Sequence, residues 1–186
     1  MNRINMKKQG KLLIAEPSIL NDKSFARSVI LLTEHSEKSS VGFILNRPTK
    51  YKMSDLIPDI QCNLPIYEGG PVEQDNLYFI HKIPHLLEGS LQICDELYWG
   101  GNFEKLQYLL NHQMIKGDEI RFFLGYSGWQ FQQLNDELDA KYWFIAENTY
   151  KNILNTDDAI LWKKELLKKG NDYKLWINVP ADVSLN

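Results

Sequence analysis

Apolar positions in the first half of the chain come in short runs bounded by turn residues, the pattern of buried strands. Leu12-Leu13-Ile14-Ala15 stops at Pro17, as a short strand does, because proline cannot donate to a ladder. After the turn pair Asn21-Asp22, the run Ser28-Val29-Ile30-Leu31-Leu32-Thr33 is rich in β-branched residues and too short for a helix, predicting a central strand. Residues 37–40 form a polar turn before Val41-Gly42-Phe43-Ile44-Leu45, which Asn46-Arg47-Pro48 ends, so the two runs predict an antiparallel hairpin. One helical turn is predicted over residues 54–57, with Ser54 as its cap and Pro58 as its stop. Residues 64–67 lead into Glu68-Gly69-Gly70-Pro71-Val72, read as a tight backbone crossing. Residues 77–81 and 90–94 predict strands, and Leu97-Tyr98-Trp99 extends the second.

Helical periodicity begins later. Asn102 can cap a helix whose apolar stripe is Phe103, Leu106, Leu109, Leu110 and Met114, broken at Gly117-Asp118. Residues 120–124 predict another strand, and residues 125–129 the turn after it. Leu134 and Leu138 predict a short amphipathic helix over residues 132–140. The next helix is read as capped by Thr156, with Asp157 and Asp158 in its positive first turn and Lys163, Lys164, Lys168 and Lys169 towards its negative end before Gly170. Residues 173–179 read as a last short strand or extended tail. Strands first and helices later, without βαβ alternation, predict one α+β domain over residues 10–180, between a flexible lead-in (1–9) and a frayed tail (181–186).

The 186-residue length fits one domain. A net charge of −3 and a pI near 5.8 oppose direct nucleic-acid binding, which relies on a basic surface. Cys62 and Cys94 are too few for a disulfide framework. With no apolar run of membrane-spanning length and no signal-peptide core behind Arg3, Lys7 and Lys8, a cytoplasmic protein is expected.

Familiar catalytic patterns are incomplete. His81 and His85 have the spacing of two imidazoles on one helical face, but Pro84 between them opposes a helix, so no metal is expected. Gly125-Tyr126-Ser127-Gly128-Trp129 approaches a nucleophile elbow, but bulky Trp129 stands where the second glycine belongs, so the reading is a tight turn that buries Trp129. The pairs Gly69-Gly70 and Gly100-Gly101 form no phosphate loop, and no cofactor is expected. The lysine cluster from Lys163 to Lys174 has a sufficient account as a solvated helix end. What remains is a polar set around turns: Arg27, His35, Asn46, Arg47, Glu68 and His81. Arg47 beside Pro48 could present its guanidinium fork to an anion, or bridge two loops.

These segments also resemble a known family. Gly10 to Pro17, Asp22, Phe25 to Leu32, Glu34-His35, Val41 to Pro48, Gly69-Gly70-Pro71-Val72, Leu77 with His81, and Phe123 to Trp129 followed by Gln133-Leu134 look like the YqgE/AlgH family over nearly the whole chain. The resemblance implies a bacterial α+β protein with a bifurcated, mainly antiparallel sheet of barrel-like character flanked by helices. It implies no enzyme activity, and for some members a role in transcriptional regulation. Where that family has glycines, Gln130 and Gln132 flank Phe131 here. The expectation is a non-enzymatic regulator or adaptor acting through a protein partner. The alternatives are a module binding an anionic small molecule and a hydrolase. Candidate binding residues are Arg27, His35, Asn46, Arg47, Glu68, His81, Ser127 and Trp129.

Overall fold

The computed structural model describes residues 8–179. In chain order it contains β1 (Leu12–Ala15), β2 (Val29–His35), β3 (Ser39–Ile44), β4 (Pro48–Lys52), α1 (Met53–Leu56), β5 (Pro65–Glu68), β6 (Val72–His81), β7 (Leu91–Cys94) and β8 (Leu97–Trp99). Then follow α2 (Phe103–Asn111), β9 (Ile120–Gln130), α3 (Gln133–Asp139), β10 (Trp143–Ala146) and α4 (Asp158–Lys169). Short 3-10 turns lie at Pro17–Ile19, Ile153–Asn155, Asn171–Lys174 and Trp176–Asn178.

The strands form one 10-stranded sheet in the order β10-β1-β2-β3-β9-β6-β8-β7, with β4 and β5 branching from it. Pairings are antiparallel except β5 with β9. The hairpin of β2 and β3 forms as predicted, with Leu31 opposite Phe43. One edge of β9 carries β6, while the other carries β5 beside Phe122, Phe123 and Leu124 and then β3 beside Ser127 to Gln130. The branch turns on Gly69, whose N–H donates to Leu124 O at 2.8 Å and whose carbonyl accepts from Ile44 N at 3.0 Å. A Cβ on Gly69 would lie 2.2 Å from the Gly125 carbonyl oxygen, so only glycine lets the three strands meet.

The expected barrel-like character is corrected. The sheet curls, bringing Gln9 Nε2 within 3.0 Å of Gln92 O, but β10 and β7 remain the two ends of an open strand path. Residues 125–129 are not a turn either. They continue β9, and Gly125 (φ +67°) sits beside the register shift between Val72 and Leu77, where glycine accommodates a bulge. Residues 173–179 wind into 3-10 turns instead of a strand, and β4 and β10 were not predicted. Of the lead-in, Lys8 Nζ donates to Asn135 Oδ1 at 2.6 Å, whereas residues 1–7 and the 181–186 tail lie outside the described residues.

Strand alternation divides the interior in two. Ile80 and Phe123 face a large core with Leu134, Trp162 and Leu166, while Phe79 and Phe122 face a smaller one with Met53, Leu106, Leu109 and Leu110. Asn102 caps α2 through Lys105 N at 2.8 Å, but Met114 lies outside the stripe and is exposed. In α1 Ser54 is not the cap; the Asp55 carboxylate accepts from Lys52 N at 2.8 Å. The cap of α4 is Asp157, whose Oδ1 accepts from Ala159 N at 3.1 Å, while the Thr156 hydroxyl turns back to Ile153 O. α4 is anchored by Trp162, buried and donating through Nε1 to Ala15 O at 2.8 Å. Truncating such a buried indole costs about 3–5 kcal/mol.

Candidate functional site

The structure brings Arg27, Asn46, Arg47 and Glu68 together and engages them with the chain itself. Asn46 follows the β3 end, its Oδ1 accepting from Val29 N at 2.9 Å and its Nδ2 donating to Arg27 O at 3.0 Å. Arg47 Nη1 donates to Ser24 O at 2.6 Å and to Glu68 Oε1 at 3.1 Å, and its Nη2 to Ala26 O at 3.1 Å. Of the two open readings of Arg47, the structure therefore shows the loop bridge. Arg27, at φ +58°, lays its guanidinium 5.5 Å from the Trp162 ring centre and donates to Val179 O at 2.6 Å. This knot holds residues 24–27 against the end of β5 and the end of the described chain.

The other four candidates lie elsewhere. His35, at the far end of β2, has Nδ1 2.8 Å from Ser40 Oγ, and burial together with nearby Lys8 lowers its pKa. His81 is fully buried; Ile83 N donates to its Nδ1 at 3.2 Å, which leaves the proton on Nε2, 3.1 Å from Gly100 O. Burial lowers its pKa against the opposing Gly100 hydrogen bond, so the ring stays neutral. His85 lies exposed in a turn, away from any helix, and among the described residues no three metal-ligating side chains gather. Ser127 is fully buried in β9 and donates to Gly69 O at 3.0 Å. Trp129 Nε1 donates to Glu137 Oε2 at 2.8 Å, an acceptor shared with Trp143 Nε1 at 2.7 Å.

Sequence reasoning missed a buried ionic cluster where β9, β5 and α4 meet. Arg121 Nη1 donates to Leu45 O at 2.6 Å and Asp158 Oδ1 at 3.3 Å, and Nη2 to Leu154 O at 2.6 Å. Its guanidinium lies 4.2 Å from the Tyr67 ring centre, and Tyr67 donates to Asp158 Oδ2 at 2.9 Å. Burial, opposed by Arg121 and helped by the Asp158 hydrogen bond, pushes the Tyr67 pKa up to about 12. The available signal was Arg121 itself, a charge inside an apolar strand run.

Beside this cluster the surface opens into a groove of about 570 Å³. Its walls include Lys82, Asp118, Tyr150, Asn152 and Thr156, joined by Lys151, Asn155 and Lys164. The segment between β10 and α4 builds one wall, held by Asn152, whose Oδ1 accepts from Leu154 N at 3.2 Å and whose Nδ2 donates to Asp118 O at 2.9 Å. Tyr150 is fixed by donating to Glu165 Oε1 at 2.6 Å. Such an arrangement can receive a small polar ligand, with cationic and hydrogen-bonding side chains at one opening.

Residues 12–174 match the profile of the DUF179 family, described as AlgH-like. The chain belongs to the AlgH-like family. Among its AlgH-like relatives, a UPF0301 protein of Chlorobium limicola is 37% identical over 187 residues, covering 100% of both chains. A UPF0301 protein of Parabacteroides distasonis is 43% identical over 182 residues, covering 96% of this chain and 91% of its own. The fold is similar to the crystal structure of a Corynebacterium diphtheriae protein (TM-score 0.73, 23% identity, 95% and 94% coverage). It is also similar to the solution structure of AlgH from Pseudomonas aeruginosa (TM-score 0.65, 23% identity, 91% and 89% coverage). Within this AlgH-like chain, the Gln130-Phe131-Gln132 variation falls where β9 gives way to α3, with Gln132 at φ +64° and Phe131 exposed.

Proposed function

We propose that this AlgH-like chain is a non-enzymatic regulator or adaptor of the cytoplasm, influencing transcription indirectly through a protein partner. The observation that carries the reading is the position of Ser127, the hydroxyl nearest to a nucleophile motif. Fully buried, it donates to the Gly69 carbonyl at the sheet branch, so it is a structural fastener with no route to a substrate. His81 is held by main-chain groups in the same manner, and Arg27 and Arg47 serve backbone carbonyls. A protein whose best chemical groups hold its own fold acts by presenting a surface. The net charge of −3 fits a protein partner better than nucleic acid.

The test returns a Ser127→Ala chain, shown by circular dichroism to fold, to a bacterial host lacking its own copy. It should restore the transcript profile as fully as the wild-type chain. A folded Ser127→Ala chain that fails to restore the profile, or labelling of Ser127 by a fluorophosphonate, overturns the reading.

A further inference from the structure

The groove beside α4 combines features that go beyond an adaptor surface. In a chain of net charge −3, it collects Lys82, Lys151 and Lys164 against Asp118 and Asp157. Lys82 is bridged to Glu96 at 3.0 Å, and Asp157 caps α4, so these two are already engaged. Among the described residues, neither Lys151 nor Lys164 forms an ion pair or a side-chain hydrogen bond. The helix start contributes little, because Asp157 already occupies it; the two ammonium groups are what an anion would meet.

The remaining lining is hydrogen-bonding rather than apolar. Asn155, whose side-chain amide has no partner among the described residues, and the Asp118 carboxylate offer donors and acceptors, and the hydroxyl of Thr156 donates to Ile153 O while keeping lone pairs for a ligand. Apolar surface comes from Leu161, the ring of Tyr150 and the aliphatic stems of the lysines. A volume of about 570 Å³ lies in the range of small-molecule sites. Two free cations suit a phosphate, while carboxylate, amide and hydroxyl groups suit hydroxyls on the body that carries it. We propose that this groove binds a phosphorylated polyhydroxylated small molecule of the sugar-phosphate class, with Lys151 and Lys164 on the phosphate and Asp118 and Asn155 on hydroxyls.

The test titrates the full chain with glucose 6-phosphate, ribose 5-phosphate, glucose and inorganic phosphate, read by calorimetry. At least one sugar phosphate should bind saturably, about tenfold or more tighter than glucose or inorganic phosphate. Lys151→Gln/Lys164→Gln, with unchanged circular dichroism and Tm, should weaken that binding about tenfold or more. Asp118→Asn should reduce the preference for the sugar phosphate over inorganic phosphate. Failure of every probe to bind below about 10 mM overturns the proposal. So does sugar-phosphate binding that the lysine variant leaves unchanged, or inorganic phosphate or glucose binding as tightly as the sugar phosphates.

Discussion

Gly69→Ala places one methyl group where three strands meet. The new Cβ would stand 2.2 Å from Gly125 O, 2.9 Å from Phe43 Cδ1 and 3.0 Å from Phe123 Cβ. The nearest of these is backbone, which cannot swing aside as a flexible side chain does. Relief requires β5 to move away from β9, and that motion stretches three hydrogen bonds at once. They are Gly69 N to Leu124 O at 2.8 Å, Ile44 N to Gly69 O at 3.0 Å and Ser127 Oγ to Gly69 O at 3.0 Å. Overpacking a core costs about 1–3 kcal/mol, and weakening the three buried hydrogen bonds adds roughly 1 kcal/mol each, so a loss of about 4–6 kcal/mol is expected. For a chain of this length that lowers Tm by roughly 8–24 °C. Gly89→Ala is the matched control, since Gly89 has φ +78° but nothing within 4 Å of the new Cβ. Its cost should be only the backbone penalty of about 1–2 kcal/mol. Urea denaturation of both variants decides the matter. Gly69→Ala within about 1 kcal/mol of wild type, or no worse than Gly89→Ala, would refute the account of the branch.

Two further outcomes follow from buried charge. Arg121→Met removes the cation that serves Leu45 O, Leu154 O and Asp158, so denaturation should show a loss of about 3–5 kcal/mol, partly recovered in Arg121→Met/Asp158→Asn. A loss under about 1 kcal/mol would show that the cluster is dispensable. The folded-state pKa of His81 is lowered below the ordinary 6.5, so the folded chain resists a proton that the unfolded chain accepts. Its stabilising contribution is full above that value and falls as pH drops towards the folded pKa, by up to about 1.4 kcal/mol per pH unit for one proton. Urea midpoints should therefore decline as pH falls through and below the ordinary 6.5, less steeply in His81→Gln; parallel profiles would remove His81 from the explanation.

Residues with a local signature were legible. The apolar runs at Leu12 to Ala15 and Val29 to Leu32 became strands because their burial and β-branching suit a pleated interior, whatever their partners. Asn102 was readable as a cap because capping involves only a turn of chain. β4 escaped notice because its Pro-Thr-Lys-Tyr-Lys is largely exposed, a polar edge held only by pairing with β5. The glycines of residues 125–128 suggested a turn because a bulge inside a strand needs the same permissive backbone. Of the candidate site residues, their polarity was visible, but polarity alone does not say whether the partner is a ligand or the chain's own carbonyls.

The sequence by itself determined an α+β domain with early strands and later helices, and through its ordered motifs an AlgH-like chain. Both follow from short-range pattern, which a linear chain carries in full. Only the tertiary structure decided that the sheet branches at Gly69 and stays open, and that Arg47 and Ser127 serve the chain's own carbonyls. It alone placed Lys82, Lys151 and Lys164 around one groove. Those features depend on residues tens of positions apart meeting at distances of a few ångströms, and spacing along the chain does not encode such meetings until the strands have chosen their neighbours.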